Sequence, residues 1–188
     1  MHRVRSPTCA AVLTLACGAL VSAASAGSPV ILPQATAESQ VLTRVWSLEG
    51  ELLTAVNRFR AAHGLRRLRP SARLRAVAAR HSAEMARFGY FDHASPDGTA
   101  FWRRLARYYP SRGYRSWSVG ENLEYGSPAL RAAEVLEDWL RSPPHRANVL
   151  SRRFRDGGVG AVFVAPGQGV YDGLPTTIVT LDVGLRRR

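Results

Sequence analysis

Apolar positions recur at helical spacing in four stretches of the chain and run as short alternating or β-branched segments in three others. Glycine, proline or a capping residue marks most of the changes of period. From Ser47, Leu52, Val56 and Phe59 fall on one stripe of a helix with Glu49 and Glu51 near its start and His63-Gly64 as its stop. Pro70-Ser71 opens a second helix, whose stripe of Leu74, Val77, Ala78, His81, Met85 and Phe88 holds a period of about 3.6 residues as far as Gly89. His81 sits among core-type neighbours in that stripe and reads as a core histidine, not a ligand. Thr99 to Tyr109 predicts a third helix, burying Phe101, Trp102, Leu105 and Tyr109 and ending at Pro110. Ser127-Pro128 begins a fourth through Val135, Leu136, Trp139 and Leu140, with Glu134, Glu137 and Asp138 on its wetter side.

Val119 to Tyr125 alternates and ends at Gly126, which predicts a strand with Glu121 and Glu124 on opposite faces. Val159 to Ala165 and Thr177 to Gly184 are strands, joined by a Pro- and Gly-rich hairpin loop from Pro166 to Pro175. Helices of this number over a few strands, two of them a hairpin, imply an α+β domain in which helices cover an antiparallel sheet.

The stretch from Trp139 to Leu150 holds the most chemistry. Pro143-Pro144 cannot continue a preceding helix, so one helix stops near Arg141 and another opens with Ser142 as its N-cap. His145 then falls in a first turn, where unpaired N–H groups and the positive end of the helix dipole disfavour imidazolium. The neutral ring that remains is the form that ligates metals or accepts protons. Two residues stand out as partners: His93, on a loop just before the turn Ser95-Pro96-Asp97-Gly98, and Glu121, in Gly120-Glu121-Asn122. Asp92 is placed either to orient the His93 ring or to cap the turn. Spacing alone assembles no site, because two distant histidines and a glutamate make no local metal signature. A purely architectural use competes: Ser142, His145 and Asn148 bonding the corner between two helices, with Glu121 accepting backbone N–H groups.

Jointly and in this order, Phe91-Asp92-His93-Ala94-Ser95-Pro96-Asp97-Gly98, Val119-Gly120-Glu121-Asn122-Leu123 and the stretch from Trp139 to Leu150 resemble the CAP superfamily: the cysteine-rich secretory, antigen 5 and pathogenesis-related proteins, with their SCP-like domain. The likeness is to the bacterial secreted branch and covers about Glu51 to Gly184. It implies a three-layer α-β-α sandwich with a small central antiparallel sheet. It also implies that His93, Glu121 and His145 converge in a cleft, where His93 and His145 would hold a divalent cation, Zn2+ or another, with glutamate and water nearby. Many eukaryotic members carry a second cleft glutamate three residues beyond the helix tryptophan. Ser142 occupies that place here. With one general base and no nucleophile motif, turnover is under-supported.

Composition adds a compartment and a charge. All 26 basic side chains are arginine, and the formal net charge of the 188-residue chain is +12. An arginine-favouring codon usage is a plainer account of that than an anionic partner is, but guanidinium recognises phosphate and carboxylate in either case. An anionic cell-wall polymer or lipid is therefore the expected partner if the arginines cluster. Nucleic acid is not expected, since no recognised binding motif appears. Arginines in Met1 to Arg5, the apolar stretch Ala10 to Val21 and the small-residue site Ala24-Ser25-Ala26 predict a signal peptide over 1–26, and hence secretion with no transmembrane segment after cleavage. Cys9 and Cys17 both lie inside it, so the mature domain has no disulfide. The expected organisation continues with a flexible spacer over 27–46, the domain over 47–184 and a basic tail over 185–188.

The function expected from these features is a secreted, non-catalytic binding module of the bacterial envelope or extracellular space. Two alternatives stay open: a metal-dependent hydrolase or protease using the same cleft, and a lipid or sterol carrier.

Overall fold

A computed structural model describes residues 40–188. In chain order the elements are β1 (Val41–Arg44), α1 (Trp46–Ala62), β2 (Arg69–Pro70), α2 (Ala72–Phe88), α3 (Phe101–Tyr108), β3 (Ser116–Gly126), α4 (Ala132–Arg141), α5 (Pro143–Leu150), β4 (Asp156–Ala165) and β5 (Thr176–Arg187). A single turn of 3-10 helix, Gly169–Tyr171, sits in the hairpin loop before β5. The helix stops fall where the caps predict them. Ser71 accepts from the Leu74 N–H at the start of α2, and Gly89 ends it in the left-handed conformation with φ 65°.

The sheet runs β1-β4-β5-β3, all antiparallel, with β2 added parallel to the start of β4. Alternation along β4 and β5 then sorts two cores. On one face Val159, Ala161, Val179, Leu181 and Val183 pack with Leu52 and Val56 of α1, Trp139 of α4 and Val149 of α5. On the other, Val162, Val164 and Ile178 meet Met85 of α2, while Leu105 of α3 packs with Leu74 and Val77 of α2. The result is a three-layer α-β-α sandwich. Gly160 makes the α2 layer possible: a β-carbon there would lie 2.0 Å from the Ala79 backbone nitrogen, so the helix rides directly on the strand.

Several boundaries differ from expectation, among them the starts of β3 and β4, each three residues early. Residues 41–46 are not spacer. Val41–Arg44 pairs with the end of β4, the Val45 N–H bonds to Ala161 O at 2.9 Å, and Arg44 forks onto the buried Glu49 at 2.6 and 3.0 Å. The basic tail is likewise mostly strand, since β5 stays paired with β3 as far as Arg187↔Ser116. The fourth helix starts at Ala132, with its first turn closed by Arg131 and Glu134, and not at Ser127-Pro128. The predicted signal peptide and residues 27–39 of the spacer lie outside the described residues. No helix among the described residues is long and apolar enough to cross a membrane.

Candidate functional site

The strand β3 lies at the edge of the sheet, and its outward carbonyls are covered by side chains of α4 and α5. Trp139 Nε1 donates to Leu123 O at 2.9 Å, and Asn148 Nδ2 donates to Glu121 O at 3.1 Å and to Asn122 Oδ1 at 2.8 Å. Asn122 Nδ2 donates in turn to His145 O at 3.0 Å. These bonds lock α5 against β3 and set where His145 stands. They also explain Gly120, since a β-carbon there would sit 2.7 Å from Asn148 Oδ1.

His93, Glu121 and His145 are brought together. His93 Nδ1 lies 2.9 Å from Glu121 Oε1, and the His93 and His145 rings meet edge to face with centroids 6.3 Å apart. The His93 side chain is 46% exposed and the Glu121 side chain is fully buried, so the imidazoles reach solvent with the carboxylate beneath them. Glu121 can only accept, so Nδ1–H of His93 is the donor and the Nε2 lone pair of the neutral ring is free for a ligand.

Glu121 does not accept backbone N–H groups in the way the architectural reading expects. Its second oxygen takes a 2.5 Å bond from Arg104 Nη2, and Arg104 Nη1 also holds His93 O at 3.0 Å. Burial pushes the Glu121 carboxyl up, but the bond from His93 and the charge of Arg104 outweigh it and hold the group below the ordinary carboxylate range. His145 is shifted down by burial first and by the facing His93 second, both of which favour the neutral ring. Ser142 precedes α5 as its N-cap but makes no side-chain capping bond.

Three contributors escaped the sequence reading. Arg104 is 6% exposed, on the α3 stripe with Phe101 and Leu105, while Trp102, expected inside, is 46% exposed. An arginine three residues after Phe101 and next to Leu105 was the available signal. Asp182 stands opposite Glu121 across β3 and β5, fully buried, and neither of its oxygens has a hydrogen-bond partner among the described residues. Burial and the neighbouring Glu121 charge push its carboxyl well above the ordinary range, so it is held neutral. Its only signal was a carboxylate inside the apolar run Leu181 to Val183. His81, correctly placed in the core, does more than fill space: Nε2 lies 3.0 Å from Asp92 O and fastens the His93 loop to α2. Asp92 itself caps the turn through the Ala94 N–H at 2.8 Å, which settles its role.

Two imidazole ligands at about 2.0–2.1 Å from one zinc place their ring centres on the order of 5–6 Å apart. The pair here, 6.3 Å apart, is slightly wider than that, with the His93 ring oriented by a carboxylate. No group of three or more His, Cys, Asp or Glu side chains poised to share a metal occurs among the described residues.

Comparison with known proteins bears on family and fold. Residues 53–181 match the model of the cysteine-rich secretory protein family, CAP. The chain is 29% identical over 136 residues to the uncharacterized protein YkwD of Bacillus subtilis, covering 72% of this chain and 50% of that protein. This chain therefore spans about half the length of that curated relative. Among solved structures, an extracellular protein containing a SCP domain from Bacillus anthracis superposes with a TM-score of 0.56 at 27% identity, over 76% of this chain and 41% of that one. An outer surface protein of Borrelia burgdorferi superposes with a TM-score of 0.62 at 18% identity, over 78% of this chain and all of that one, a likeness of fold. The match over residues 53–181, with the sandwich it sits on, places this chain in the cysteine-rich secretory protein (CAP) family.

Proposed function

We propose that this protein is a binding domain that acts outside the cytoplasm, in the envelope or extracellular space, and that its His93-Glu121-His145 site holds a ligand without transforming it. The observation that carries this reading is the double commitment of Glu121. With one oxygen on His93 and the other on Arg104, both bonds made by a buried carboxylate, Glu121 is a weak base. Ser142, in place of a second acid, supplies none. The location is supported by the Bacillus anthracis relative, an extracellular protein containing a SCP domain.

His93 and His145 are the residues that would hold a divalent cation, His93 through the Nε2 that its bond to Glu121 leaves free and His145 through a ring whose burial disfavours imidazolium. A bound ion supplies a Lewis-acid anchor for an oxygen atom of the ligand. The protein's own share is orientation: Glu121 fixes the His93 tautomer, Arg104 fixes Glu121, and the Asn122-Asn148 pair fixes the turn that carries His145.

Calorimetry with Zn2+ on the parent and His145→Ala, run beside hydrolysis of unbiased peptide and ester libraries with and without chelator, tests the reading. One weak binding event lost in the variant, with no turnover, is expected. Turnover that needs His145 and disappears with chelator contradicts it and establishes the hydrolase alternative.

A further inference from the structure

A second surface on this domain has no part in the site just described. One cavity of about 790 Å³ is lined by nine residues, and all but Leu185 are arginine. Arg66, Arg67 and Arg69 come from the turn into β2, Arg152, Arg153 and Arg155 from the connection between α5 and β4, and the last two from the end of β5. Backbone bonds hold the three segments side by side. The Arg69 N–H donates to Arg155 O at 2.8 Å and the Arg155 N–H to Gly184 O at 2.9 Å.

Elsewhere on the domain some arginines are matched by acids, Arg131 with Glu134, Arg141 with Glu137 and Asp138, Arg44 with Glu49, while others such as Arg58, Arg73 and Arg112 stand singly on the surface without an ion pair among the described residues. In the hollow only Arg69 has a carboxylate, that of Asp156, at 2.9 Å. Arg155 turns back on the carbonyls of Arg152, Arg153 and Phe154. Arg186 lies over Tyr109 and Tyr114, with its buried Nε unpartnered among the described residues. Arg66, Arg67, Arg152 and Arg153 are exposed and make no ion pair among the described residues. What sets this place apart is convergence, eight arginines from three segments facing one concavity. So many like charges converging in a concavity repel one another and are relieved by an anion.

The shape selects the anion. A hollow walled by guanidinium forks from three segments offers more donors than one phosphate can use, and guanidinium matches phosphate oxygens in pairs. None of the large exposed apolar side chains, such as Trp46, Phe88 and Leu174, lines it, so it lacks the anchors a bilayer surface needs. The nearby aromatic faces, Tyr109 and Tyr114, are covered by Arg186 and offer no platform for stacking bases. We propose that this arginine hollow is the docking site for a linear, base-free phosphodiester polymer, which lies across it with successive phosphates on arginines from different segments.

Binding of a synthetic glycerol-phosphate oligomer to the whole chain, followed by calorimetry across a salt series, tests the proposal. The comparison ligands are glycerol 1-phosphate, an oligothymidylate of equal length, and vesicles of phosphatidylglycerol. The oligomer is expected to bind most tightly. Arg67→Ser/Arg152→Ser/Arg153→Ser should weaken it by on the order of tenfold or more and flatten the salt dependence by about two to three phosphate contacts. Arg58→Ser/Arg73→Ser/Arg112→Ser, which removes the same charge from exposed positions outside the hollow, should bind like the parent, and so should His93→Ala/His145→Ala. Unchanged circular dichroism in each variant separates lost binding from lost fold. The proposal is overturned if the oligomer binds no better than the monomer, if oligothymidylate or the vesicles bind as tightly, or if the two arginine triples weaken binding equally.

Discussion

Asp182 and Glu121 face each other on adjacent strands, both withdrawn from solvent, and their acidities are shifted in opposite directions. For Glu121, held down in the fold, the contribution to stability is present above its unfolded value of about 4.3 and is lost as pH falls through the folded one. For Asp182, held up, the contribution is complete below about pH 3.9 and drains away as pH rises towards its folded value. Asp182→Asn should therefore unfold at higher urea than the parent near neutral pH, with the difference shrinking towards pH ~4. A difference independent of pH contradicts the assignment. Arg104→Met removes the cation from a buried carboxylate and should cost about 3–5 kcal/mol in urea unfolding, part of it recovered by adding Glu121→Gln. At this scale the sequence was legible where the family pattern is: His93, Glu121 and His145. Arg104 and Asp182 were not, because each is a charged residue whose burial depends on a partner from another element, and periodicity assigns charge to water.

Among the elements, β3 is the one the site hangs from. Its inner edge is paired with β5 and its outer carbonyls are held by Trp139 and Asn148, so the position of His145 is inherited from the strand through α5. Asn148→Ala leaves Glu121 O and Asn122 Oδ1 without their donor and should cost about 1–3 kcal/mol, measured by denaturation. It should also weaken the ion binding assigned to His145. Gly160→Ala drives a methyl into the backbone of α2 and should cost about 3 kcal/mol or more, seen as a fall in melting temperature or as failure to fold. Helix ends were readable because caps are local: Ser71, Gly89 and Pro143 each act where they stand. β1 was not, since four residues, Val41–Arg44, become a strand only by meeting β4 more than a hundred positions later. The run to Arg187 was missed for the same reason, arginines at a chain end reading as solvated until β3 is laid beside them.

The molecule as a whole divides its polar chemistry between two surfaces. The histidine site sits over the middle of β3, and the arginine hollow gathers at the end of β5, so along the β5 ladder from Asp182 they are separated by four to five residues, roughly 13–17 Å. No cysteine occurs among the described residues, and the fold rests on its two cores and on buried ties such as Arg60, whose guanidinium holds the carbonyls of Val149 and Ser151 at 2.7 and 3.0 Å and closes the end of α5. The claim beneath all of this is that His93 and His145 form one ligand-holding unit. It is tested most directly by following the imidazole nitrogens of the whole chain by NMR during a Zn2+ titration. His93 and His145 should shift together with one midpoint, while exposed His63 and buried His81 stay where they were. Separate midpoints for His93 and His145, or an equal response from His63, would contradict the account.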